Sequence, residues 1–265
     1  LLHNASLVHD DLQDGDRTRR GRPALWAEWG EAQAINAGDL LLMLPVLAAG
    51  RVEASAEVRW ALTQSLARHA SATVRGQAYE MSLRGDVRMD HGAYLRAAMG
   101  KTAGLFGLPV EGAALLAGVP AADIPALVSP FERLGLLYQL QDDVIDLFGD
   151  KGREASGADI REGKVSALVV AHVLLHPSDR LWLANILRTH REETTPEVVA
   201  AVVRRFAERG ALAQVLAWID DIALEVEASL ADRPELGSVA RSLAARFLAP
   251  LAPVRPMASP IRRSA

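Results

Sequence analysis

Apolar residues recur at three- and four-residue spacing along nearly the whole chain, and alanine and leucine fill most of those positions. That period lays an apolar stripe along a helix, and both residues are strong helix formers. The pattern predicts helices over 1–15, 31–50, 54–83, 92–106, 110–118, 123–149, 164–175, 179–190, 196–208, 211–231 and 236–248. Alternating apolar and polar runs and Asn-Gly turns are absent, so no strand is predicted. Gly21-Arg22-Pro23, Gly118-Val119-Pro120, Gly149 to Gly152, His176-Pro177 and Thr195-Pro196 read as connections. Thr194-Thr195-Pro196-Glu197 reads as a helix start, with a threonine cap and proline in the first turn. Leu40 to Ala49 is apolar on every side, which predicts full burial in a cavity wall. Beyond Ala249, Pro250, Pro253, Pro256 and Pro260 predict an irregular tail. No repeat or linker interrupts the series, so the expectation is one all-α domain over residues 1–265.

Composition narrows the classes. Half of the 265 residues are hydrophobic, ample for one large core. The net charge of -4 gives no attraction to nucleic acid or anionic lipid, so neither is an expected partner. The absence of cysteine excludes disulfides and thiolate metal sites and is compatible with a reducing, cytoplasmic setting. No apolar run reaches the ~18 residues of a membrane span, so none is expected. The chain opens at Leu1, already inside a helical pattern, and a preceding segment is expected.

One five-residue pattern then changes the picture. Asp-Asp-x-x-Asp occurs as Asp10, Asp11 and Asp14 and again as Asp142, Asp143 and Asp146. The first and last acids of each copy share a helix face, where like charges repel, and each copy follows an apolar run. A solvated acidic face is the plain alternative. Compensation by a hard divalent cation such as Mg²⁺, which binds through carboxylates together with substrate phosphates, accounts for more of the pattern. Arg17, Arg19, Arg20 and Arg22 follow the first copy at once, and guanidinium forks suit phosphate oxygens. A nucleic-acid patch is disfavoured by the acidic chain and its few aromatics.

The segment from His3 through HDDLQD and DRTRRGRP resembles the first aspartate-rich region of trans-type polyprenyl diphosphate synthases. GQAYEMSLRG, YLRAAMGKTAGLF and QDDVIDLFGD with GADIREGK resemble that family's later motifs, in order, so the likeness covers residues 1 to about 175. It implies an isoprenoid-synthase helical bundle around a central cavity, and a homodimer. The implied reaction is head-to-tail condensation of isopentenyl diphosphate with an allylic diphosphate, with three Mg²⁺ ions. By the same likeness Asp10, Asp14 and Asp142 are first metal ligands, and Asp11, Asp143 and Asp146 are ligands or their supports. Arg19 would contact the allylic diphosphate and Arg20 that of isopentenyl diphosphate. Lys101 and Lys164 would be diphosphate contacts, while Thr102 and Gln139 would face the carbocation. A Walker phosphate loop does not explain Gly100-Lys101-Thr102, since the upstream glycine is missing.

The chain departs from the family in places. Glu154 stands where a lysine is common, with Lys151 and Arg153 nearby; Glu80 replaces an aspartate; and the N-terminal motifs that hold isopentenyl diphosphate do not occur. Ala5 and Ser6, one turn before Asp10, are small and leave the product channel without an aromatic floor. A floor would then come from Leu2, Met43 or Leu44. The expected product is geranylgeranyl diphosphate (C20), with C15 or longer chains as alternatives. Two further readings are a class I terpene cyclase, which normally lacks a second Asp-Asp-x-x-Asp, and a non-catalytic partner subunit, whose acidic motifs are usually degraded. Asp220-Asp221 and His9 read as structural, and Trp26 and Trp29 as packing at a helix start.

Overall fold

The periodicity resolves into thirteen α-helices among the residues that the computed structural model describes, 1–88, 90–149 and 157–258. They are α1 (Leu2–Gln13), α2 (Leu25–Trp29), α3 (Glu31–Ala49), α4 (Ala56–Ser82), α5 (His91–Ala98), α6 (Gly104–Leu116) and α7 (Ile124–Phe148). There follow α8 (Ala158–Arg161), α9 (Ala167–Leu175), α10 (Arg180–Arg188), α11 (Pro196–Glu208), α12 (Ala211–Ser229) and α13 (Pro234–Leu248).

Helix α7 forms the centre. Leu134, Leu136, Leu137, Leu140 and Val144 are fully buried along it, and α6, α9, α12 and α13 pack around it. Phe206 of α11 and Leu212, Val215 and Ile219 of α12 close the same core. Each such side chain contributes roughly 1.5–3 kcal/mol of burial, so the helix carrying the second acidic cluster is firmly anchored. The longest helix, α4, is built differently, since its buried residues are Ser65, His69, Thr73, Gly76 and Gln77. A polar seam of this kind needs partners. His69 Nε2 lies 2.7 Å from Glu111 Oε2 of α6, and Arg68 donates to the same carboxylate.

Several expectations need correction. A two-residue antiparallel ladder, β1 (Thr18–Arg19) with β2 (Arg22–Pro23), forms where a connection was expected. Its turn residues Arg20 and Gly21 both take positive φ, 53° and 73°, which matches the twist of a tight hairpin. The break expected near residue 108 is absent. Instead α5 runs through a π-helical turn, Met99–Ala103, into α6, which carries Pro109 inside it. That proline forgoes its bond to the Leu105 carbonyl without ending the helix. Helix α9 starts at Ala167, later than expected, after the short α8.

Leu40, Met43 and Leu47 expose 59, 59 and 60% of their surface, so the outer face of α3 is not buried as its sequence predicts. By length and composition α3 is also apolar enough to cross a membrane, contrary to the sequence expectation. Trp29 is exposed rather than packed, whereas Trp26 donates through Nε1 to the Asp16 carbonyl at 2.8 Å. The segment after Ala249 is ordered through Ala258, with Leu251 and Val254 buried in the core. Helix α11 begins as expected, with Thr195 extended and Pro196 in the first turn, although the threonine makes no capping bond.

Candidate active site

Close backbone crossings place the site. A Cβ on Gly76 of α4 would come within 2.2 Å of the Lys101 backbone nitrogen, and one on Gly100 within 3.0 Å of Gly76 Cα. Only glycines allow α4 and the π-helical turn to meet so closely, and the crossing turns Gln77 and Lys101 into one cavity. A π-helical turn inside a long helix is a frequent mark of function. Here it carries Lys101 and Thr102.

The cavity, about 180 Å³, is lined by residues of α1, β1, α4, α5, α6, α7, α8 and the segment after α8. Asp10 and Asp14 face it from one side, and Asp142 and Asp143 from another. Among the described residues, seven carboxylates (Asp10, Asp14, Asp16, Glu80, Asp142, Asp143 and Asp159) stand against three strong bases, Arg19, Lys101 and Lys164. The imbalance calls for added positive charge, and the donor set is all oxygen, which fits a hard divalent cation. Among the described residues no three metal-binding side chains already converge on one point.

The basic groups meanwhile hold the acids. Lys164 Nζ donates to Asp14 Oδ2 at 2.8 Å and lies 2.7 Å from Glu162 Oε2 and 3.7 Å from Asp159 Oδ1. Lys101 Nζ donates to Glu80 Oε2 at 2.6 Å. Burial opposes the charge of both lysines, but the carboxylates around them outweigh it and hold both ammonium groups above their ordinary range. Burial likewise opposes ionisation of Asp14, and there Lys164, Lys101 and Arg84 prevail and hold its carboxyl low. Asp10 goes the other way, pushed up by burial against the pull of Lys101.

Asp143 is fixed by neutral donors: Tyr94 Oη at 2.8 Å, the Ala167 N–H at 2.7 Å and Gln139 Nε2 at 2.9 Å. Burial nevertheless pushes its carboxyl up to about 6. Thr102 Oγ1 donates to Gln139 Oε1 at 2.6 Å, so Thr102, Gln139 and Asp143 form one chain of hydrogen bonds. The π-helical turn and α7 come together there because Gly135 leaves no side chain against Ala103 Cα, which a Cβ would meet at 2.6 Å.

The remaining expected residues are distributed unevenly. Asp11 is buried outside the cavity wall, and Arg19 donates to its Oδ1 through Nε at 2.7 Å and lies 2.5 Å away through Nη2. Asp146 also stands outside the wall, where its Oδ2 accepts from the Asp159 N–H at 3.1 Å and positions α8. Arg20 sits at the hairpin tip, away from the lining, as do Arg22 beside it and Arg17, which lies over the Trp26 ring. Ser6 lines the polar cavity, Ala5 is fully buried beside it, and Met43 is on the exposed face of α3, not in any wall of the site. Glu154, Lys151 and Arg153 lie outside the described residues.

Sequence reasoning assigned no role to Tyr94, Asp159, Arg84 or Arg191, all of which touch a cluster acid or line the cavity. Three of them had a signal, since Arg84 stands in GQAYEMSLRG, Tyr94 opens YLRAAMGKTAGLF and Asp159 stands in GADIREGK; Arg191 had none.

His3 and Leu105 line this cavity and also an adjoining apolar cleft of about 970 Å³. Leu2, Leu62, Leu66, Phe106 and Phe131 are among its walls. A polar pocket thus opens onto a long apolar one.

Comparison with known proteins gives the family and the fold. The family model for polyprenyl synthetase matches residues 1–205. The (2E,6E)-farnesyl diphosphate synthase of Mycobacterium tuberculosis is 35% identical over 255 residues, 88% of this chain and 67% of that protein. The geranylgeranyl diphosphate synthase of the same organism is 35% identical over 204 residues, 76% of this chain and 58% of that protein. The chain therefore spans about two thirds of the first relative and less of the second. Among solved structures, a geranylgeranyl pyrophosphate synthase superposes with a TM-score of 0.84 over 94% of this chain and 78% of that one, at 23% identity, a likeness of fold. A polyprenyl synthase from Caulobacter crescentus, complexed with calcium and isoprenyl diphosphate, gives 0.79 at 28% identity over 93% of this chain and 75% of that one.

Proposed function

The chain belongs to the polyprenyl synthetase family, and we propose that it catalyses head-to-tail (1′-4) condensation of isopentenyl diphosphate with an allylic diphosphate. The observation that carries this reading is one polar cavity, faced by both acidic clusters and by Lys101, Lys164 and Arg19, that opens past Leu105 into an apolar cleft. Such a pair of compartments suits a diphosphate head and an isoprenoid tail.

Asp10, Asp14 and Asp142 would hold Mg²⁺, with Asp143 behind them. When bound, the metal supplies positive charge that stabilises a departing diphosphate. Lys101, Lys164 and Arg19 contact diphosphate oxygens, and Lys164 gives up Asp14 as it does so. The allylic C–O bond breaks with its electron pair passing to the diphosphate. Thr102 donates its proton to Gln139, so its oxygen lone pairs remain to face the allylic cation. The isopentenyl double bond attacks that cation, and the proton lost next goes to the released diphosphate. Tyr94, Leu105 and Tyr138 help keep water from the cation.

The proposed product is geranylgeranyl diphosphate, because Ala5 and Ser6 place no bulk at the channel entrance and the cleft beyond is large. Homodimerisation belongs to the same reading and would cover Leu40, Met43 and Leu47 of α3. The test is a product assay with Mg²⁺, isopentenyl diphosphate and each allylic diphosphate in turn, with dephosphorylated products resolved by chain length. A C20 alcohol supports the proposal and a C15 alcohol corrects the product. A cyclic hydrocarbon, or no turnover, overturns the reaction.

A further inference from the structure

Asp14 is gripped by two arginines that stand outside the cavity lining. Arg84, two residues past the end of α4, donates Nη2 to Asp14 Oδ1 at 2.7 Å while Lys164 holds Oδ2. Arg191, in the turn between α10 and α11, donates Nη1 to the Asp14 carbonyl oxygen. The same guanidinium lies 3.3 Å from Glu162 Oε1 and 3.8 Å from Asp16 Oδ1. Neither arginine lines the cavity, whereas Lys164 does. The loops that carry Arg84 and Lys164 are joined as well, since the Gly85 N–H donates to the Gly163 carbonyl at 2.8 Å.

These contacts differ in what ligand binding does to them. Lys164 lines the cavity and holds Asp14 Oδ2, so a cation or a diphosphate that enters competes with that bond. The arginines bind the opposite oxygen and the main chain from outside the cavity, and nothing entering it displaces them. We propose that Arg84 and Arg191 are positioning residues that clamp Asp14 and the 14–16 loop to the loop bearing Glu162 and Lys164, holding Asp14 in place when Lys164 leaves it. Arg84 fixes the carboxylate rotamer and Arg191 the backbone beneath it. The inference rests on the functional reading above, in which Asp14 and Lys164 serve diphosphate and cation.

Binding of inorganic diphosphate with Mg²⁺, followed calorimetrically on the whole protein, tests the clamp apart from turnover. The wild-type chain should bind the pair; if it does not, the functional reading fails before the clamp is reached. With binding established, Arg84→Met and Arg191→Met should each raise the Mg²⁺ concentration needed for half-saturation by about tenfold or more, as loss of outer supports to a metal ligand typically does. Arg84→Lys, which can still reach one oxygen, should recover part of that loss. Arg255→Met, which breaks the exposed pair with Asp220, serves as the stability control and should leave the midpoint unchanged. An unchanged midpoint in both arginine variants overturns the proposal. So does a shift that Arg255→Met reproduces, or one that Arg84→Lys does not reduce. If Arg84→Met fails to fold, Arg84→Lys and Arg191→Met decide the matter by the same midpoint.

Discussion

The two acidic clusters share one motif, and Asp14 in the first and Asp143 in the second are held by opposite means. The first, on α1, is held by cations: Arg19 on Asp11, and Arg84 and Lys164 on Asp14. In the second, on α7, neutral donors hold Asp143 (Tyr94, Gln139 and the Ala167 N–H), and the Asp159 N–H donates to Asp146. The setting explains the division. Helix α1 lies beside a hairpin and loops that deliver long basic side chains to Asp11 and Asp14, whereas Asp143 on the core helix α7 meets Tyr94 of α5 and the first N–H of α9. Cation pairing holds Asp14 low, and neutral hydrogen bonding leaves Asp143 near 6. A repeated motif therefore fixes which atoms face a ligand, and the neighbourhood of each copy fixes their charge.

The largest expected effect tests whether the clusters are equal in chemistry despite that difference. Asp10→Asn and Asp142→Asn should each lower prenyl transfer by about 10³-fold, the scale of losing a group that stabilises transition-state charge. Circular dichroism should show both variants folded. If one variant kept more than a tenth of the wild-type rate, its cluster would be a support and the two would not be equivalent.

The next effect sharpens the electrostatic contrast. In metal-free protein held in chelator, a carbon-13 titration should give Asp143 a midpoint near 6 and Asp14 one below the ordinary carboxylate range. Between about pH 4 and 6 the folded chain then carries a proton on Asp143 that the unfolded chain has lost. The Asp143 contribution to stability therefore falls as pH rises through that window, by roughly 3 kcal/mol at most. Asp14 has the opposite sign, and its contribution is lost as pH falls below about 4. Tyr94→Phe removes a donor that favours the carboxylate, so the Asp143 midpoint should move higher and stability at pH 7 should drop by about 1 kcal/mol. A midpoint at or below 4 in the wild type would show that the three donors fully offset burial.

Much of this arrangement is legible in the chain. The 3.6-residue period gave most of the helices, and the repeated motif together with the family likeness marked Asp10, Asp14 and Asp142, which the fold brings to one cavity. Misreadings arise where tertiary contact overrides the local signal. Pro109 reads as a stop, yet it lies inside a helix braced by α4 and α7. The apolar face of α3 reads as core, although nothing among the described residues covers Leu40, Met43 and Leu47. Tyr94 and Arg84 stand in the family-like segments YLRAAMGKTAGLF and GQAYEMSLRG, yet their partners, like those of Arg191, are hidden for another reason. Each acts on an acid far away in sequence, and a lone tyrosine on an apolar helix or an arginine in a loop has no local pattern to mark its partner.

The smallest effect probes the pair that best represents the first cluster. Arg19 is part of the cavity wall, yet two of its nitrogens rest on Asp11, which is itself off the wall. The guanidinium is partly exposed, so the pair contributes about 1 kcal/mol or less. Arg19→Met should thus lower the melting temperature only slightly. Its kinetic effect should be larger, as a raised KM for the allylic diphosphate with little change in KM for isopentenyl diphosphate. Asp11→Asn separates the roles, because it releases Arg19 without removing it. If Arg19 serves the diphosphate and Asp11 only aims it, Asp11→Asn should raise the allylic KM less than Arg19→Met does. If both substitutions raise it equally, Asp11 is as necessary as the arginine, and the first cluster works as a set of rigid ion pairs. Its cations would then hold fixed geometry as the neutral donors around Asp143 do, and the contrast between the clusters would reduce to charge alone.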